Sequence, residues 1–150
     1  MRKFKLPVIG LLLVLVGLFI WRVRQPALTD EQRIAAAMEG ICAAASARSP
    51  RGIANHLAKE FRMGSMSKSE FQNSLAGGIL QYRVIELKLT NPQVTVNGTS
   101  GTSNGNYTLS LKSEYNSPPQ ILSGKFDLTW KKIDGQWLVT KAEGELPTLP

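Results

Sequence analysis

Lys125-Phe126-Asp127-Leu128-Thr129-Trp130-Lys131-Lys132-Ile133-Asp134-Gly135-Gln136-Trp137-Leu138-Val139 holds two strands and the turn between them. Phe126, Leu128 and Trp130 alternate with Lys125, Asp127, Thr129 and Lys131, the period of two that places one face of a strand on a core and the other in water. Asp134-Gly135 is a tight-turn signal, because both central residues of such a turn take positive φ. Upstream the same period recurs. Tyr107, Leu109, Leu111 and Tyr115 alternate with Thr108, Ser110, Lys112 and Glu114, while Ile85, Leu87 and Leu89 alternate with Glu86 and Lys88. Pro92 bends the earlier strand before Val94 and Val96. Asn97 to Asn106, NGTSGTSNGN, reads as a polar turn region closing a hairpin, and Ser117-Pro118-Pro119 turns the chain again. Four long strands joined this way make an antiparallel meander.

The first half has the helical period instead. Thr29-Asp30-Glu31-Gln32 reads as a capping box, followed by Ile34, Met38, Ile41 and Ala45 on one stripe to about Ala47. Ser49-Pro50 is a cap with proline at the first helical position, opening a second helix with Ile53, Leu57 and Phe61 on one face. Ser67-Lys68-Ser69-Glu70 is another capping box, ahead of Phe71, Leu75 and Ile79 and ending near Gly77 and Gly78. The expected class is α+β: three N-terminal helices packed on one face of a bent four-stranded antiparallel sheet.

Before Thr29 the chain changes character. Leu6 to Trp21, LPVIGLLLVLVGLFIW, is sixteen residues without a charge, and its twelve Leu, Ile, Val and Phe residues favour insertion in a bilayer by roughly 4 to 7 kcal/mol. At 1.5 Å per residue the stretch covers roughly 24 Å, short of the hydrocarbon core, with Lys5, Arg22 and Arg24 able to reach the headgroups. A cleaved signal peptide would need a small-x-small site, and the only small candidate, Ala27, has the bulky Gln25 nearby. The expectation is an uncleaved transmembrane signal-anchor over 1–24, a linker over 25–28, one domain over 29–146 and a tail over 147–150. Arg2, Lys3, Lys5 and the terminal amine precede the run and Arg22 and Arg24 follow it. This modest bias puts the N-terminus in the cytoplasm and the domain outside, periplasmic or extracellular.

The net charge of +7 belongs mainly to the flanks of that run: five of 18 basic residues lie at or before Arg24, where no acidic residue occurs. The remainder, nearly balanced and without a basic block, argues against a nucleic-acid partner. Cys42 is the lone cysteine, so no internal disulfide forms, and its Ala-rich helical setting suggests a buried structural thiol. One histidine and one cysteine give no metal-ligand spacing, and no Gly-x-Ser-x-Gly elbow supports a serine nucleophile. No metal and no cofactor are expected. Asn97-Gly98-Thr99 and Asn106-Tyr107-Thr108 are glycan acceptors only in a eukaryotic secretory pathway.

The stretch 53–62, IANHLAKEFR, and the terminal 130–139, WKKIDGQWLV, together resemble the nuclear transport factor 2-like superfamily, also called cystatin-like. There a bent sheet wraps a long helix to make a cone, a similar helix ends in an acidic-Phe pair, and an Asp-Gly-x-Trp hairpin closes the sheet. The likeness covers roughly residues 29 to 146. It implies two roles. Members on one N-terminal helix occur as scaffold subunits of envelope assemblies such as type IV secretion systems, although those are larger, and members often dimerise through a sheet face. Others are steroid isomerases, epoxide hydrolases or polyketide cyclases with an Asp, Tyr, His or Arg set inside the cone.

Weighed against that set, Tyr107, Ser113 and Tyr115 fall in register with core-facing Leu109 and Leu111 and offer hydroxyls at a cavity mouth, or else form core edges. Trp130 and Trp137 lie on adjacent strands, for core packing or ligand stacking. His56 sits about 100° from its helix's apolar stripe, a surface histidine or a pocket one, and Asp127 belongs to the solvated sheet face. The candidate ligand-binding residues are therefore Tyr107, Ser113, Tyr115, Trp130 and His56. The expected function is a membrane-tethered extracytoplasmic module, non-catalytic, that binds a small apolar ligand, an envelope protein or a second copy of itself; the alternative is a cone-type small-molecule isomerase or hydrolase.

Overall fold

The two capping boxes begin helices where the residue pattern puts them. In the computed structural model, which describes residues 14–18, 20 and 26–144, α1 covers Asp30–Ser46. The Thr29 hydroxyl accepts from the Gln32 N–H at 3.2 Å, and the Gln32 side chain accepts from the Thr29 N–H at 2.9 Å. Both satisfy N–H groups that a helix start leaves open. Its stripe of Ile34, Met38 and Ala45 is buried. Ser49 caps α2 (Pro50–Ala54) through the Gly52 N–H at 2.9 Å. After β1 (Leu57–Met63) and the two-residue β2 (Met66–Ser67), Ser67 and Glu70 cap α3 (Lys68–Leu80) reciprocally. The long strands β3 (Val84–Asn97), β4 (Ser100–Lys112), β5 (Gln120–Ile133) and β6 (Gln136–Gly144) follow.

These elements correct the expected architecture of three N-terminal helices on a four-stranded antiparallel sheet. Among the described residues there are six strands, in the order β2-β1-β6-β5-β4-β3, and the sheet is mixed because β1 runs parallel to β6. The second helix stops after five residues. Leu57 and Phe61, four apart, share a face in a helix and equally in a strand, so their spacing does not separate the two states. The parallel partner decides it: Leu57 pairs with Val139 and Met63 with Ala142, giving β6 a neighbour on both edges. The run NGTSGTSNGN is likewise mostly strand. Only Gly98-Thr99 turns, since Asn97 already pairs with Ser100.

The small residues in that run are used for volume. Gly101 pairs with Trp130 and Gly105 with Phe126. A Cβ at Gly101 would come within 2.9 Å of Ile34, and one at Gly105 within 2.9 Å of the Thr90 carbonyl and 3.0 Å of the Phe126 ring. Register slips then bend the sheet, one in the parallel β1–β6 ladder between Leu57 and Arg62 and two in the antiparallel ladders. In β3 the ladder to β4 shifts between Thr90 and Gln93 around Asn91, at φ 51°, and Pro92. One extra residue switches the face along a strand, so Val94 and Val96 rejoin the side that Ile85, Leu87 and Leu89 occupy. A second slip between Thr129 and Trp130 lets Val139 and Ala142 of β6 both face inward.

Most of the buried residues among those described fall in two clusters. Ile34, Met38, Phe61, Trp130, Trp137 and Val139 make the larger part of one, and Ala45, Ile53, Ile79, Ile85 and Leu111 make the other. The stretch 6–21 expected as a span lies largely outside the described residues, as does the tail 147–150. Residues 14–18 and 20 are helical and exposed. No helix among the described residues is long and apolar enough to cross a membrane, so the anchor has no support from the described part of the chain.

Candidate functional site

Between the two clusters lies a cavity of about 450 Å³, lined by members of both. Its floor is the concave sheet face: Leu87 and Leu89 from β3, Tyr107 and Leu109 from β4, Leu122, Phe126 and Leu128 from β5. Its roof is α3, with Phe71, Leu75 and Ile79, and the inner stripe of α1 at Ile41 and Ala45. The geometry follows from how α3 sits. That helix packs on β1 and α2 rather than down on the middle of β4 and β5, which leaves a gap over the bent strands. Phe61 and Phe71 close one side as a tilted ring pair with centroids 5.3 Å apart, an arrangement favoured by aromatic quadrupoles.

Polar groups on the lining are few. Ser74, Tyr82 and Tyr107 contribute hydroxyls, and Lys125 and Glu143, both exposed, adjoin it at one end. Tyr107 pairs with Gly124, and its phenol lies over that glycine; a Cβ there would sit 2.8 Å from the hydroxyl oxygen. Among the described residues, no histidine, cysteine or aspartate lines this cavity.

Of the five residues expected to bind ligand, Tyr107 alone reaches the cavity wall. Trp130 is completely buried in the first cluster and donates its indole N–H to Ser103 at 2.8 Å; Ser103 is itself 0% exposed. Ser113 and Tyr115 lie beyond Lys112, where β4 ends, and Tyr115 is 72% exposed. The Ser113 hydroxyl faces that of Ser117 at 3.5 Å. His56 is in the turn between α2 and β1 and lines a second cleft of about 390 Å³ with Arg33, Asn55, Gln136 and Trp137. Its ring lies against Gly40, where a Cβ would approach within 2.7 Å. Partial burial depresses the imidazole pKa below its ordinary value.

Beside that cleft, Asp30 ties α1 to the β5–β6 hairpin. One carboxylate oxygen accepts from the Trp137 indole and from the Lys132 ammonium, each at 3.0 Å. The Trp137 bond first, then Lys132, holds the Asp30 pKa below its ordinary value. Asp127 is exposed, on the solvated face as its alternation implies. Cys42 is half-buried rather than fully so, and that burial raises its pKa. Among the described residues no three His, Cys, Asp or Glu side chains gather to hold a metal. Cavity residues outside the expected set include Phe71 and Leu75 of the roof and Leu122 on the floor. The signal for Phe71 and Leu75 is the apolar stripe of α3, which marks a buried face without telling packed from open; Leu122 precedes Lys125, where the alternation of that strand is first read.

No family model matches the sequence, and no curated protein matches it. Solved structures do. A scytalone dehydratase-like protein from Novosphingobium aromaticivorans superimposes with a TM-score of 0.69 at 18% identity, covering 76% of this chain and 81% of that one. An NTF2-like superfamily protein from Salmonella enterica gives 0.66 at 17% identity over 79% and 92%. A protein likened to the association domain of calcium/calmodulin-dependent protein kinase II, from Xanthomonas campestris, gives 0.65 at 19% identity over 83% and 93%. The chain therefore has the NTF2-like, cystatin-like α+β fold. A dehydratase-like protein and an association domain share that frame, so the frame alone selects neither role.

Proposed function

We propose that this protein is a membrane-tethered binding module that holds a small apolar ligand in its cone, with the domain outside the cytoplasm. The observation that carries the reading is the cavity of about 450 Å³ bounded by leucine, isoleucine and phenylalanine side chains. That volume lies within the range of ligand pockets, which are mostly apolar with a few oriented polar groups. A general acid or base needs a titratable group within hydrogen-bond reach of the reacting atom; the Lys125 and Glu143 groups adjoining this cavity are exposed. The tether rests on the uncharged run from Leu6 to Trp21 and the basic residues before it.

Purification from membranes in mild detergent, solvent extraction and mass spectrometry test the ligand. An apolar compound is expected with the wild-type chain and absent with Leu75→Trp, which fills the roof of the cavity. A wild-type chain that carries no compound and binds no added apolar molecule overturns the reading. The tether is tested by fractionation: the full chain is expected in washed membranes, with its domain open to protease from outside the cell. Recovery of the intact chain as a soluble cytosolic species removes that part.

A second reading, a cone-type isomerase or hydrolase, draws on the Tyr107 phenol in the wall and on the dehydratase-like neighbour in fold. It requires that Tyr107→Phe abolish turnover while leaving ligand binding intact.

A further inference from the structure

We infer that the cavity selects an uncharged ligand, a largely hydrocarbon molecule with at most one neutral polar group, and discriminates against an anion or cation on the same skeleton. This rests on the binding reading above and adds the chemical class of the occupant. The volume of about 450 Å³ equals roughly 15 waters at their liquid volume, so a molecule with about that many non-hydrogen atoms fills it. Around that space the lining includes Ser74, Tyr82 and Tyr107, has Lys125 and Glu143 at one end, and is otherwise mainly hydrocarbon.

Charge is confined to one end, and there it is open to water. Lys125 and Glu143 have opposite signs, both are exposed, and Glu143 is already paired with Lys141. Two cations that donate to carbonyls of lining residues, Arg48 to Ile79 at 3.1 Å and Lys68 to Leu57 at 2.8 Å, are not part of the lining. A carboxylate or ammonium group drawn past that end, in among the hydrocarbon side chains, leaves water with no counter-charge beside it, whereas a hydroxyl or carbonyl group gives up far less hydration. The first transfer is much the more costly, so the charged forms should bind about tenfold more weakly or worse.

The test compares farnesol, farnesoate and farnesylamine, one isoprenoid skeleton with a neutral, an anionic and a cationic head, titrated near neutral pH into the purified full chain in lipid nanodiscs, with empty nanodiscs as the blank. Tryptophan fluorescence reads saturable binding. Farnesol is expected to bind at least about tenfold more tightly than either ion, and to lose that binding in Leu75→Trp. Leu122→Trp, which fills the floor instead, serves as a second block if the first variant fails to fold by circular dichroism. Farnesoate or farnesylamine binding as tightly as farnesol overturns the selectivity while leaving the cavity as the site. Farnesol binding that survives a folded blocked variant places the ligand elsewhere and overturns the inference. If none of the three binds, the binding reading fails and the inference fails with it.

Discussion

Ser103 and Trp130 show how one hydroxyl sustains the interior. The Trp130 indole N–H has no access to water, and the Ser103 oxygen at 2.8 Å is its acceptor. Ser103→Ala is expected to cost about 1 to 3 kcal/mol, because the buried donor loses its partner and gains no water in return. Urea unfolding measures it, and a change within about 0.5 kcal/mol, the range of a neutral surface substitution, refutes the account. Asp30 makes a pH prediction. Its folded pKa lies below the ordinary 3.8, so its stabilising effect is complete above that value and is lost as pH falls through the folded pKa. Asp30→Asn should lower the urea midpoint near neutral pH and flatten the fall in stability toward strong acid. His56 points the same way from the opposite charge: its depressed pKa means that protonation favours the unfolded chain, with stability full above the ordinary histidine value and declining as the pH drops. An NMR titration should place its midpoint below that value. At this scale the sequence is legible in part. Tyr107 is where alternation puts it, whereas alternation also carries Ser113 and Tyr115 inward although the ladder stops at Lys112. Period reports the face of a residue and says nothing about where pairing ends.

Helix starts are the most legible elements, because a cap is a local bond between residues three apart. Ser67→Ala should cost about 1 kcal/mol, the usual value of an N-cap, with the loss read from thermal or urea unfolding. Strands are less legible where partners decide them. Leu57 and Phe61 satisfy the helical and extended periods alike, and only pairing with Val139 and Ala142, some eighty residues away, settles the matter. The run 97–106 misleads for another reason. Gly101 and Gly105 are strand residues kept small by the bulk of Ile34, Phe126 and Trp130 beside them, and single-sequence composition equates small with loop. Gly105→Ala is therefore expected to destabilise by about 1 to 3 kcal/mol, since the added methyl meets the Thr90 carbonyl and the Phe126 ring and overpacking forces both to move. A neutral effect would show that the strands have slack the packing does not suggest.

For the whole molecule, the α+β class, the bend at Pro92 and the two-residue turn at Asp134-Gly135 are readable from residues, while the cavity is not. It depends on how far α3 stands off β5, a distance set by its seat on β1 and α2, and β1 is itself the strand that periodicity misses. A ligand that binds the folded chain alone stabilises it by about 2.7 kcal/mol at a hundredfold excess over Kd. Farnesol at saturation should accordingly raise the Tm by several degrees in the wild type and leave Leu75→Trp unmoved; equal shifts in both would mean that the occupant sits outside the cone.

The placement of β6 between β1 and β5 has a consequence for biosynthesis. A ribosome delivers Leu57–Met63 long before Gln136–Gly144, so β1 waits through most of translation without the neighbour that defines it. Contacts of such wide separation slow folding and leave intermediates open to aggregation. A nascent chain arrested before Gln136 should remain sensitive to protease throughout, and protection should arrive abruptly, over the few residues that complete the last strand.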